Sequence, residues 1–130
     1  MKKTFLLAGA VLGLLAVLLG AFGAHGLEKI VDKDAVESFE TGVRYQMYHA
    51  FFFLFVGIWD GIGIKKQRLL FWLVLMGIIL FSCSIYLLVL GPVLSWDLKI
   101  IAFLTPLGGT LLIGAWFFLG YFILTKKSTK

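Results

Sequence analysis

The sequence predicts an all-α integral membrane four-helix bundle, with both termini cytoplasmic and a short amphipathic helix leading into the second span. Three observations carry this. Of the 130 residues, 61% are hydrophobic and 15% charged, whereas soluble domains carry about 25% charged residues. Four apolar runs, about residues 4–24, 43–64, 69–90 and 98–124, are each long enough for a hydrocarbon core that takes roughly 20 residues to cross. Lipid cannot satisfy an open backbone, so each run is a helix. In a four-span arrangement Lys2, Lys3, Lys65, Lys66, Arg68, Lys126, Lys127 and Lys130, eight of the 12 basic residues, fall on one side. The other side mixes Lys29, Lys33, Arg44 and Lys99 with six acidic residues. The positive-inside rule then places both ends in the cytoplasm. The net charge of +5 follows from that topology and from contact with headgroups. A nucleic-acid partner is not expected, because it needs a basic patch on a soluble face. The chain reads as one membrane domain over 1–130, with the lipid bilayer as its principal partner.

The first run has a rival reading. Met1-Lys2-Lys3 ahead of an apolar stretch ending in Ala21-Phe22-Gly23 has the form of a secretory signal peptide. The run exceeds the usual 7–15-residue apolar region. Its small residues also fall at Gly9, Gly13, Ala16, Gly20 and Gly23 or Ala24, a stripe that lets membrane helices approach closely. A span is therefore the preferred reading.

The segment between the first two spans is too polar for lipid but has helical periodicity. Val36, Phe39, Val43 and Met47 recur on one face, and Glu37, Glu40, Arg44 and Tyr48 on another. Asp34 and Glu37 have capping-box spacing. The expectation is a helix that begins outside and runs into span two, with Glu40 and Arg44 paired one turn apart. In the Phe51–Phe55 run the rings face lipid or fill the core. Trp59 and Trp72 fit an inner aromatic belt. Span three should stop at Gly91-Pro92, and Pro106 with Gly108 and Gly109 should bend span four or bring it close to a neighbour. Cys83 is the only cysteine, so neither a disulfide framework nor a cysteine zinc site forms within one chain.

Rise per residue places the polar groups of the spans at one depth. His25 closes span one, Tyr48 and His49 lie roughly 7–9 Å into span two, Ser82 and Tyr86 roughly 6–12 Å into span three, and Thr105 roughly 10 Å into span four. With Glu40, Arg44 and Tyr45 these form the candidate polar layer. Two readings stay open for it: hydrogen bonds that hold helices together, or a small cavity open to the outer leaflet, since ionisable groups inside membranes point to function.

Gly20-Ala21-Phe22-Gly23-Ala24-His25-Gly26-Leu27, Tyr45-Gln46-Met47-Tyr48-His49, Phe81-Ser82-Cys83-Ser84-Ile85-Tyr86 and Thr105-Pro106-Leu107-Gly108-Gly109 together resemble the signatures of the YgdD-like small membrane proteins, a domain of unknown function. Cys83 stands where that family reads glycine. The resemblance implies a four-span protein of the bacterial plasma or inner membrane, or of an equivalent organelle membrane, and brings no known reaction.

The leading functional expectation is a structural or interaction role in the membrane, alone, as a homo-oligomer or with a membrane-protein partner. The second is binding or transport of a small molecule or lipid at the outer-leaflet layer. The third, a redox protein with haem between His25 and His49, rests on two histidines alone. No paired carboxylates, phosphate loop or Ser-His-Asp order is present. No catalytic residue, metal or cofactor is therefore expected.

Overall fold

The computed structural model describes residues 1–126, and within them the regular structure is helical. Helix α1 (Lys2–His25) is followed by a single 3-10 turn, Leu27–Lys29, and by α2 (Lys33–Ile58). Helix α3 (Ile64–Ile78) passes through a π-helical turn, Ile79–Cys83, into α4 (Ser84–Leu90). Two 3-10 turns, Pro92–Leu94 and Lys99–Phe103, then lead to α5 (Leu104–Thr125). Three helical segments, Lys2–Lys29, Ile64–Leu90 and Lys99–Thr125, are long and apolar enough to cross a membrane. Helix α2 is as long but is diluted by Arg44, Gln46 and His49.

The expected amphipathic lead-in exists, with a different cap. Asp32 takes an extended backbone and its side chain accepts from the Ala35 N–H at 2.8 Å. The cap is thus two residues ahead of the Asp34–Glu37 pair, because Asp32 is the residue whose carboxylate reaches a free first-turn N–H. The helix ends at Ile58 rather than near Ile64, where Trp59 returns to extended backbone. The two faces of α2 divide as their spacing implies: Phe39 is fully buried, while Glu37, Glu40, Arg44 and Tyr48 are exposed.

Helix α1 lies along α2, and the small-residue stripe faces that contact: Gly9, Ala16 and Gly23 are buried. A methyl group at Gly9 would stand 2.9 Å from the Ala50 carbonyl oxygen. This is how a helix with no polar grip of its own docks in lipid. A second close crossing joins α3 to α5. There a methyl at Gly108 would meet the Phe81 amide nitrogen, and stand 2.7 Å from the Leu80 carbonyl carbon and 2.8 Å from the Gly77 oxygen. Pro106 lies in the first turn of α5, where a missing N–H leaves no α-helical hydrogen bond unmade, and the close approach expected of this stretch is made at Gly108.

Two apolar clusters fill the interior. The larger gathers Phe5, Phe53, Val56, Leu70, Val74, Ala115 and Leu119 from all four long helices. Phe5 meets Phe53 and Phe71 edge-on, with centroids 5.6 and 5.4 Å away. The smaller gathers Leu27, Phe39 and Val89. Phe52 and Phe53 of the aromatic run are core, whereas Phe51 and Phe55 are exposed. Near the ends of α2 and α5, Lys126 Nζ lies 5.6 Å from the Trp59 ring and Lys66 Nζ 5.1 Å from the Phe122 ring. Lys127 and Lys130 lie outside the described residues.

Candidate functional site

Among the described residues Gln46, His49, Ser82 and Ser84 are the buried polar side chains, and each forms part of a hydrogen bond across a helix interface. Gln46 Nε2 donates to the Leu12 carbonyl of α1 at 2.9 Å, and its Oε1 accepts from the Tyr86 hydroxyl of α4 at 2.7 Å. Ser82 donates to the Gly42 carbonyl at 2.8 Å. The π-helical turn makes this geometry: its extra residue turns Ser82 inward and leaves Cys83 on the exposed side. A small residue at position 83 is therefore not demanded by packing.

His49 Nδ1 lies 2.6 Å from the Tyr45 carbonyl, and Nε2 lies 3.0 Å from the Trp116 indole nitrogen. A carbonyl only accepts and an indole N–H only donates. His49 is therefore the neutral tautomer with its proton on Nδ1. Ser84 donates to the Phe81 carbonyl at 2.9 Å, so in its 2.6 Å contact with Thr105 it accepts. Among the described residues no buried side-chain nitrogen or oxygen lacks a partner.

The nine residues of the expected layer separate into three places. His49, Ser82, Tyr86 and Thr105 belong to the hydrogen-bonded layer, and Tyr45 enters it through its carbonyl. His25 is exposed at the end of α1 and joins none of these bonds. Since both nitrogens of His49 are engaged, the two histidines do not form a ready ligand pair. Glu40 and Arg44 are exposed, and Arg44 donates to Thr41 Oγ1 at 3.2 Å instead of forming the expected pair. Tyr48 faces outward, its ring 5.6 Å from that of Tyr45. Alanine at Glu40 and at Arg44 should accordingly act additively on the melting temperature in detergent. A double variant milder than the sum would restore the pair.

Sequence reasoning missed Gln46, Ser84 and Trp116. The signal for Gln46 was present: Gly42, Gln46, His49 and Phe53 follow one another at helical spacing and are all buried. That phase marks the interior face, and the more conspicuous charged stripe lies beside it. Trp116 had no such mark, being one aromatic residue among many in α5.

Two openings adjoin the layer. A cleft of about 700 Å³ lies between the start of α2 and α4, with Ser38, Thr41, Ile85, Val89 and Thr105 among its walls. A notch of about 410 Å³ between α2 and α5 is lined by Tyr45, Tyr48, His49, Phe51 and Trp116. No acid–base pair faces either opening among these residues.

Long apolar helices, lipid-type close crossings and an internal polar layer define a small multi-pass membrane protein. The model of the family described as "Protein of unknown function (DUF423)" matches residues 19–109, and the chain belongs to that family. A UPF0382 membrane protein of Staphylococcus aureus is 38% identical over 117 residues, covering 90% of this chain and 92% of that protein. The UPF0382 membrane protein YwdK of Bacillus subtilis is 41% identical over 116 residues, covering 88% and 90%. One from Haemophilus influenzae is 38% identical over 128 residues, covering 98% and 99%. No solved structure matches. The resemblance read from the four motifs thus holds, and the chain is a multi-pass protein of the bacterial cell membrane.

Proposed function

We propose that this protein is a four-span structural or interaction element of the membrane whose polar residues hold its own helices together and perform no reaction. The observation that supports this most is the closure of the polar layer: among the described residues each buried side-chain donor and acceptor already has a partner within the protein, which leaves no group poised for chemistry. Such bonds contribute about 0.6 kcal/mol on average in membranes. Several of them, joining α2 to α1, α4 and α5 and α4 to the start of α5, specify one register among helices that lipid alone does not drive together. In this reading α2 crosses the bilayer beside α1. Both termini are cytoplasmic, a placement supported by Lys66 and Lys126 lying against aromatic rings at one end of the bundle.

Cysteine labelling in a Cys83→Ser background tests both halves of the proposal. Lys33→Cys should react with an impermeant maleimide from outside, and Lys66→Cys only after permeabilisation. Ser82→Cys should resist even small water-soluble thiosulfonates until denaturant is added, because Ser82 is fully buried. Inverted accessibility of the two lysine positions overturns the topology. Rapid labelling of Ser82→Cys in intact membranes overturns the closed layer and favours an aqueous cavity.

A further inference from the structure

The notch between α2 and α5 combines aromatic walls with unmet hydrogen bonding in one place. Its walls are rings: Tyr45 and Tyr48 on α2, Trp116 on α5, and His49 between them, 6.0 Å from Trp116 and inclined at 70°. The hydrogen bond from Trp116 to His49 fixes two of these walls. Neither tyrosine hydroxyl makes a hydrogen bond within the described residues, although Tyr45 is 40% and Tyr48 51% exposed. In water such exposure would satisfy them. Here it does not, on the four-span reading proposed above, because a span that opens near Val43 puts Tyr48 roughly 7 Å below its outer edge. A hydroxyl without a partner in an apolar medium is unfavourable, because nothing there replaces the hydrogen bonds that water would make.

A ligand suited to this place reaches it through hydrocarbon, presents a flat face to aromatic walls, and offers acceptors to hydroxyl donors. Acyl chains meet the first requirement only, and water-soluble metabolites fail it. We propose that the notch binds the ring of a lipid-tailed quinone, with a ring carbonyl accepting from Tyr45 or Tyr48, the ring plane against Trp116, and the tail lying along α2 and α5 in the bilayer. Volume agrees: about 410 Å³ lies within the range of small-molecule sites, roughly 300–1,000 Å³. His49 positions the site and does not contact the ligand as a free base, since both its nitrogens are engaged.

The test uses the full chain in phosphatidylethanolamine–phosphatidylglycerol vesicles and a photoreactive azidobenzoquinone with a ten-carbon tail. Attachment sites are mapped by peptide mass. Label should concentrate on Tyr45–Phe51 and around Trp116, saturate, and be displaced by the non-reactive decylquinone. Removing only the two hydroxyls, in Tyr45→Phe/Tyr48→Phe, should weaken labelling at least about fivefold while the protein still melts cooperatively. Label that spreads over outward residues such as Leu7, Val17 and Ile113, rises linearly with quinone and ignores the double variant would reflect partition into lipid and overturn the proposal. Tyr48→Cys, made in the Cys83→Ser background, separates this failure from that of the four-span reading. If it stays dark to an impermeant maleimide while labelling is diffuse, the quinone site alone is lost; if it reacts from the aqueous side, the membrane depth and the site fall together.

Discussion

Gly108→Val is expected to prevent stable folding, and Gly108→Ala to lower stability by about 3 kcal/mol, the upper end of what overpacking a tight interior costs. A single methyl group there would meet the Phe81 amide nitrogen, the Leu80 carbonyl carbon and the Gly77 oxygen, all main-chain atoms. Side chains yield by changing rotamer, but backbone yields only if α5 moves away from the π-helical turn. That movement also pulls on the contact between Ser84 and Thr105 and unseats Leu112, which packs onto Gly77. Gly114→Ala on the same helix has no heavy atom within 4 Å of the added methyl and should be neutral or slightly stabilising, because alanine is the better helix former. Thermal melts of the three variants in one mild detergent decide the matter. If Gly108→Ala melts within a degree or two of the parent while Gly114→Ala does the same, the crossing is looser than its geometry implies.

Much of this was legible in the sequence, for a physical reason. The apolar helical runs, the small-residue stripe of α1 and the amphipathic start of α2 are one-dimensional properties, fixed by bilayer thickness and helical period, although the second run stops at Ile58 and not near Ile64. Phe39 in and Glu40 out needed nothing more. The polar layer was legible in part of its membership, His49, Ser82, Tyr86 and Thr105, and not in its partnerships. Residues at equal depth on different helices were read as facing one interior, yet α1 contributes a carbonyl from Leu12 and not the His25 ring. Backbone acceptors carry no sequence mark. The Glu40–Arg44 pair failed for a related reason: Thr41, one turn before Arg44, offers a hydroxyl with no carboxylate to desolvate. The π-helical turn could not be read from residue types, because it arises where α3 accommodates the backbone of α5 at Gly108.

Gln46→Leu should be the most costly loss of a hydrogen-bonding side chain, about 1–3 kcal/mol, the range for leaving a buried partner unsatisfied. The amide spans two interfaces at once. Its Nε2 holds the Leu12 carbonyl of α1 and its Oε1 takes the Tyr86 proton from α4, and it is 97% removed from the surface, with 3% exposure. Leucine fills much the same volume, so the loss measured is polar and not a cavity. The Tyr86 hydroxyl is then stranded above Gly42, onto which its ring is tightly packed, with no water to replace the amide. Tyr86→Phe alone leaves Gln46 Oε1 unpaired and should cost less, because Nε2 keeps its bond to α1. In Gln46→Leu/Tyr86→Phe neither stranded group remains. The double variant should therefore recover about 0.5–1.7 kcal/mol relative to the sum of the single losses, the span seen for cross-helix pairs in membranes. Additive melting shifts would mean that Tyr86 does not donate to Gln46 in the folded protein, and α4 would then be held to α2 by the Ser82–Gly42 bond and apolar contact alone.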